Sequence, residues 1–304
     1  YPLRRQRQMC IRDRLHGLAS GTTVFMVNKT KFKGIKISLP SLNEQQRIVS
    51  VLDEAFKEVE NRTSQIKMKL HNGKELFQSV AGNLFSTKGD SWKEEAIGKM
   101  CEILNGFAFK SKDTINQSTV QLVRMGNLYQ NQLNLNRTPV FYPEHFSIEF
   151  DKYLLTEGDI IMSLTGTVGK EDYGFAIRIP KTKRKLLLNQ RIAKFHSFHE
   201  SLDADYFLNF LKSKVFLDEL YLTANGTRQA NLSTKKIKEL TISYPSIIEQ
   251  KTIVEKLDTL SNNVIQLEQN YRIELESLTE FKQSILQEAF NGTLRIAEGL
   301  AGQS

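Results

Sequence analysis

The sequence predicts an α+β (mixed α/β) domain flanked by two long helices that pack on each other as an antiparallel coiled coil. Three observations carry this. First, Gly21–Phe85 realigns without gaps on Gly226–Phe290, 205 positions later. Second, each copy carries an apolar stripe at helical spacing over about forty residues, near a heptad. Third, the residues between the copies break into short apolar runs punctuated by glycine turns, the pattern of strands. A repeat this widely spaced is no solenoid, whose units recur every few tens of residues. One structural unit is used twice, with a non-repeated domain between its copies.

The repeat is clearest where Lys31–Phe56 reads KFKGIKISLPSLNEQQRIVSVLDEAF and Lys236–Ser261 reads KIKELTISYPSIIEQKTIVEKLDTLS. Each has an apolar run, a proline (Pro40, Pro245), Glu-Gln, Ile-Val and Leu-Asp. Ser41 and Ser246 stand three positions before Glu44 and Glu249, the Ser-x-x-Glu capping box that opens a helix. The first stripe includes Ile48, Leu52, Val59 and Ile66, and the second Ile253, Leu257, Val264 and Tyr271. Each helix would be about 60 Å long. Gly73 is expected to kink or break the first, and Asn291-Gly292 to stop the second. A stripe this long needs cover, which the other copy supplies; the alternative is that each helix packs on its own neighbouring domain.

Between the copies the expected strands are Val120–Val123, Asp159–Leu164, Gly174–Ile179 and Arg191–Phe195. One helix is expected over Ala204–Tyr221, with Asp203 as its N-cap. The resulting organisation is a leader 1–14, a short segment 15–38, a helix 39–87, the domain 88–243, a helix 244–295 and a tail 296–304. The leader YPLRRQRQMCIRDR matches nothing at the equivalent point of the second copy and reads as a non-native start, with a nucleic-acid arm as the alternative.

The formal net charge of +8 is unevenly placed. Residues 1–38 hold nine basic and one acidic residue, 39–87 six of each, 88–243 twenty-two against eighteen, and 244–304 five against nine. A mildly basic domain beside an acidic last helix suits a polyanionic partner. No apolar stretch approaches the ~18–20 residues of a membrane span, and no signal peptide is visible. Cys10 and Cys101 form no framework, so reduced thiols in a cytoplasmic protein are expected.

Catalytic signatures fail one by one. Thr165–Lys170 reads TGTVGK, but Leu164 replaces the first glycine of a phosphate loop and Glu171 its metal-binding hydroxyl. Its backbone amides and Lys170 can still meet a phosphate. The five histidines are scattered, and His196 with His199 reads as two ordinary polar side chains at a strand end, so no metal site is expected. No carboxylate arrangement marks a nuclease, and no catalytic residue is assigned. Glu157-Gly158-Asp159 reads as a turn leading into a strand.

What remains is a polar, loop-rich domain. Arg, Lys, Asn and Gln read base edges or hold phosphates. The candidates are Lys110, Lys112, Arg124, Thr165, Lys170, Lys183, Arg184, Asn225, Arg228 and Gln229. Loss of a base contact at Arg228 or Arg124 is expected to cost about 1–3 kcal/mol and relax specificity.

Several segments, in order, resemble the specificity subunit of type I restriction–modification enzymes. They are Gly106–Ser111 (GFAFKS), Leu155–Ile161 (LTEGDII) with the glycine turn Thr165–Gly169, Leu188–Arg191 (LNQR), and Leu232–Ile242 leading into Tyr244-Pro245-Ser246 and Glu249-Gln250. The resemblance covers roughly residues 20–295. It implies a non-catalytic subunit whose target-recognition domain reads one half of a bipartite double-stranded DNA target. It further implies that the helices space the readers and dock two methyltransferase (modification) subunits, with restriction/translocase subunits joining that core. S-adenosylmethionine, ATP and magnesium would then bind partner subunits only. The chain departs from the family pattern in holding only the tail of a first recognition domain, about residues 15–38, and reads as a fragment; the alternative is a half-subunit that dimerises. A coiled-coil protein–protein assembly module without DNA specificity is the competing function.

Overall fold

The structure, a computed structural model, describes residues 29–34, 39–87, 89–226 and 229–294. The expected leader and tail, most of 15–38, and Arg228 lie outside the described residues. The two long helices are Leu42–Ser86 and Ile247–Asn291, each of 45 residues and offset like the sequence repeat. The chain divides into two compact units, one comprising the residues up to Gly73 and from Ile265 onward, the other Lys74–Val264.

Both helices begin as their Ser-x-x-Glu motifs require, but only half of each capping box forms. The Ser41 and Ser246 hydroxyls accept from the Glu44 and Glu249 amides at 3.3 and 3.4 Å. The glutamate carboxylates turn elsewhere, Glu44 to Arg47 at 2.9 Å and Glu249 to the Trp92 indole at 3.3 Å. The following glutamine instead bonds back to the residue before the serine and braces the chain entering the helix. Gln45 Nε2 donates to Pro40 O, and Gln250 Nε2 to Pro245 O, each at 2.8 Å. This bond accounts for the recurring glutamine. The second helix ends at Asn291 in a Schellman motif, with Gly292 at φ +69° and Thr293 N donating to Glu288 O at 3.0 Å.

In the first unit the helices meet side by side. Lys282 lies 4.5 Å from the Phe56 ring centroid and 3.7 Å from the Glu60 carboxylate, while Lys69 lies 6.0 Å from the Tyr271 ring. Rising numbers on one helix meet falling numbers on the other, so the pair is antiparallel. Val59 and Ile66 are buried on this stripe. Gly73 does not interrupt the helix, contrary to expectation. An added Cβ there would meet only Leu267 Cδ2 at 3.5 Å, an ordinary contact. Helix continuity is set by the flanking stripe, and one glycine costs too little to break it.

The second unit holds two four-stranded sheets. One is antiparallel, in the order Ala176–Arg178, Ile160–Ser163, Ile192–His196, Glu102–Asn105. The other runs Phe141–Tyr142, Val120–Val123, Lys185–Leu188, Leu154–Leu155, its central pair parallel. Alternation along the strands sorts their residues into separate cores. Ile160, Met162, Ala193 and Phe195 face a helical layer containing Tyr206, Phe207, Leu211, Phe216 and Leu220. Ile161, Ile177 and Ile192 face Val123, Leu186 and Leu188 between the sheets. Val120, Leu122 and Leu187 face an aromatic layer with Tyr142, Phe109 and Phe146.

The single helix expected over Ala204–Tyr221 is two helices, Ala204–Lys212 and Lys214–Leu222. Asp203 caps the first, accepting from Asp205 N and Tyr206 N at 2.9 and 3.0 Å. Ser213 ends it and caps the second, its hydroxyl donating to Phe210 O at 2.7 Å and accepting from Phe216 N at 3.3 Å. The four expected strands appear within a residue or two of their expected bounds.

The domain is held by both ends of its chain segment. Lys93–Ala96 pairs antiparallel with Thr241–Tyr244. Ala81 and Phe85 of the first helix and Ile253 and Leu257 of the second belong to the domain's largest core. Of the eight expected helix-packing residues, Ile253 and Leu257 therefore pack on the domain, and Val59 and Ile66 are buried in the first unit. Ile48, Leu52, Val264 and Tyr271 are half-buried.

Candidate nucleic-acid interface

Two segments distant in sequence form a two-stranded antiparallel ribbon, Thr165–Thr167 against Gln229–Asn231. The middle of the first strand must be glycine, because a Cβ on Gly166 would collide with Asp172 and Tyr173. The Asp172 carboxylate accepts from Thr167 N and Thr167 Oγ1, both at 2.7 Å. The backbone bond from Thr167 is the main cause that holds the Asp172 carboxyl below its ordinary pKa. Beyond Thr167 the turn Val168–Lys170 is exposed, with Gly169 at φ +76°. At the other strand, Asn225 and Asn231 exchange backbone hydrogen bonds of 2.8 and 3.0 Å. Gly226 has φ +122° and no room for a side chain beside Gln229 O.

Against this ribbon lies a polar recess of about 350 Å³ whose lining includes Asn105, Thr165, Gln190, Arg191, Gln229 and Asn231. Gln190 and Arg191 sit on the short connection between the strands Lys185–Leu188 and Ile192–His196. That connection is fixed at every peptide. Asn189 N donates to Val123 O at 3.3 Å, Gln190 N to Phe107 O at 3.0 Å, Arg191 N to Asn189 Oδ1 at 3.1 Å and Ile192 N to Asn189 O at 2.9 Å. Phe107 N returns a bond to Leu188 O at 3.0 Å, and a Cβ on Gly106 would collide with the Asn189 backbone. The GFAFKS and LNQR segments are thus two halves of one crossing. The LTEGDII segment has a structural role as well: the Asp159 carboxylate accepts from Thr156 N at 2.7 Å and pairs with Lys194 at 2.7 Å.

The fold brings Thr165 and Gln229 together in the recess; Lys170 is exposed beyond Thr167, and Asn225 is exposed beside Asn231, the residue paired with Thr165. Lys110, Lys112 and Lys183 are exposed but belong to other segments. Two guanidinium groups face inward. Arg124 Nη2 donates to Thr138 O at 2.6 Å, and Arg184 donates to Gln121 Oε1 at 2.7 Å and Asn136 Oδ1 at 2.8 Å. Sequence reasoning assigned no DNA contact to Asn105, Gln190 or Arg191. A signal was available, because Asn189-Gln190-Arg191 is a polar triplet set between two apolar runs.

The recess offers amides, hydroxyls and a guanidinium, and so can hydrogen-bond the edge of a polar ligand. Among the described residues no cluster of His, Cys, Asp and Glu could hold a metal ion. The Cys101 thiol is buried, and desolvation pushes its pKa up to about 12, which makes it a poor nucleophile. No described helix is long and apolar enough to cross a membrane.

Two long helices and a mixed domain with an amide-rich recess are the features that the comparison with known proteins must account for. The chain belongs to the type I restriction modification DNA specificity domain family, whose profile matches residues 9–71 and 89–277. It is 25% identical to the type I restriction enzyme MjaVIII specificity subunit of Methanocaldococcus jannaschii, over 93% of this chain and 67% of that protein. It is 26% identical to the EcoBI specificity subunit of Escherichia coli, over 73% of this chain and 43% of that one. Its fold is similar to a chain from a structure on complex assembly and conformational transition of the type I restriction–modification system, with TM-score 0.69 and 20% identity, covering 96% of this chain and 68% of that one. The HsdS subunit of Thermoanaerobacter tengcongensis also matches, with TM-score 0.58 and 20% identity, covering 93% and 67% of the respective chains.

Proposed function

We propose that this chain is the DNA-reading component of a type I restriction–modification assembly, without catalysis of its own. Its domain reads one half of a bipartite target in double-stranded DNA. The observation that carries this is the ribbon Thr165–Thr167/Gln229–Asn231 beside its amide-rich recess. A two-stranded ribbon fits the major groove, where amide and guanidinium groups distinguish base pairs. The long helices serve as spacer and as docking surface for two methyltransferase subunits, through which the restriction/translocase subunits join. Exposed apolar residues such as Met68, Ile273 and Phe281 support a protein-facing role for them. S-adenosylmethionine, ATP and magnesium belong to the partner subunits, and the assembly works in the cytoplasm, where its DNA lies.

The reading as half of a target has its own support. Leu39, Pro40, Ile48, Leu52 and Phe290 line an apolar groove at the start of the first helix. The equivalent positions of the second copy, 205 residues away in either direction, hold the domain core.

A salt titration of DNA binding by the full chain tests the proposal. Phosphate contacts release counterions, so log K should fall steeply and linearly with log salt, with a slope of about −0.9 per phosphate engaged. Weak binding with no salt dependence would overturn it in favour of the assembly-module reading.

A further inference from the structure

We infer that Gln190, Arg191 and Gln229 are the side chains that read bases, with the two glutamines directed at adenine and Arg191 at guanine. The inference rests on the DNA-reading function proposed above and assigns its specificity to three residues.

The argument is one of elimination by hydrogen bonding, then of rigidity. A side chain reads a base only if its paired donors and acceptors are not already engaged. Among the described arginines of the domain, Arg124 and Arg184 bind internal acceptors, and Arg137 lies 5.9 Å from the Tyr129 ring and does not line the recess. Arg178 binds Gly158 O at 3.0 Å and pairs with Asp205. Asn105 donates to Thr234 Oγ1 at 3.1 Å, and Asn231 to Gln229 O at 3.0 Å, so each amide is half engaged. Arg191 touches only the Met125 sulfur, at 4.0 Å, which leaves its fork of donors available. No hydrogen bond engages the side-chain amide of Gln190 or of Gln229 among the described residues. These three side chains line one recess.

Their backbones, by contrast, are pinned. Gln190 and Arg191 lie on the connection whose peptides bond to Val123, Phe107 and Asn189, and Arg191 O accepts from Leu164 N at 2.8 Å. Gln229 lies in the ribbon opposite Thr167. A fixed backbone with unengaged bidentate tips is the preorganised state that specific readout needs, because little order remains to be imposed on binding. The carboxamide of Gln matches adenine N6 and N7, and the guanidinium matches guanine O6 and N7.

The test is selection from a random duplex pool by the full chain with its methyltransferase partner, repeated with Gln190→Ala, Gln229→Ala, Arg191→Ala and Arg191→Lys. Because these side chains make no hydrogen bond to a protein oxygen or nitrogen, the variants should melt at the wild-type temperature. The expected result is that wild type enriches a motif containing both adenine and guanine. Each alanine variant then loses preference at one position by about 10-fold while the other positions hold. Arg191→Lys, which keeps the charge but loses the fork, should behave like Arg191→Ala. If wild type enriches a motif and the variants keep it, or weaken evenly on every sequence with Arg191→Lys intact, these residues contact phosphate or nothing, and the inference is overturned while the proposed function stands. If wild type enriches no motif, both are overturned.

Discussion

The two Pro…Glu-Gln junctions are near copies in sequence and differ sharply in surroundings. At the second, Gln250 is wholly buried, and its Nε2 bonds Pro245 O and Ser201 O while Oε1 accepts from Asp203 N, all at 2.8 Å. At the first, Gln45 makes the equivalent bond to Pro40 O and stays partly open. Phe85 is 3% exposed in the domain core, whereas its counterpart Phe290 is 68% exposed. The repeated residues encode a helix and its cap; burial comes from what packs on them. One motif can therefore be a latch at one site and only a local brace at the other.

The largest expected effect tests that division directly. Phe85 packs on Tyr206 and Phe210 with ring centroids 5.3 and 5.9 Å apart. Phe85→Ala should destabilise by about 3–5 kcal/mol, and Phe290→Ala by less than about 1. Denaturant melts of the two variants would show the gap. Equal losses would mean that Phe290 is also covered in solution and would break the comparison.

The glutamines should differ in the same direction by less. Gln250→Ala strands the Asp203 amide and the Ser201 carbonyl in a dry site, at a cost of about 1–3 kcal/mol. Gln45→Ala removes one partly solvated hydrogen bond, about 0.5 kcal/mol. A cost at Gln45 equal to that at Gln250 would show a latch formed at both junctions.

The same contrast explains what was legible in the sequence. Helix starts, the Asp203 cap and the strand cores follow from local pattern, so the fold class could be read. The break at Ser213 could not, because KSKV fits a helix and the break depends on how Phe210 and Phe216 share one core. Within the site, Thr165 and Gln229 were found because glycine turns flank them. Arg124 and Arg184 look like DNA readers in composition, yet their forks close on Thr138, Gln121 and Asn136. Whether a guanidinium is engaged is a long-range fact, and Arg191 carries no local mark of being open.

Gly73 offers a smaller effect of opposite sign. Its counterpart in the second copy is Leu278, so the repeat tolerates a large side chain at this helical position. A Cβ at Gly73 meets Leu267 at an ordinary 3.5 Å. Gly73→Ala should stabilise by about 0.5–1 kcal/mol, since glycine gives up more backbone freedom in a helix. A lower melting midpoint would mean that the helices cannot admit even a methyl group there.

The smallest effect concerns the glutamates of the two Ser-x-x-Glu motifs. Hydrogen bonding to Arg47 lowers the Glu44 pKa, whereas Glu249 turns to Trp92. An unfolded glutamate titrates near about 4.3. The folded Glu44 pKa lies below that, so its pairing contributes in full above the unfolded value and fades as pH falls through the folded one. Glu44→Gln should therefore leave neutral stability nearly unchanged, because exposed pairs contribute little. It should also flatten the acid limb of the stability curve slightly below pH about 4. If the acid limb is unchanged, Arg47 does not hold Glu44 in solution, and the first junction rests on the Ser41 cap and the Gln45 bond alone.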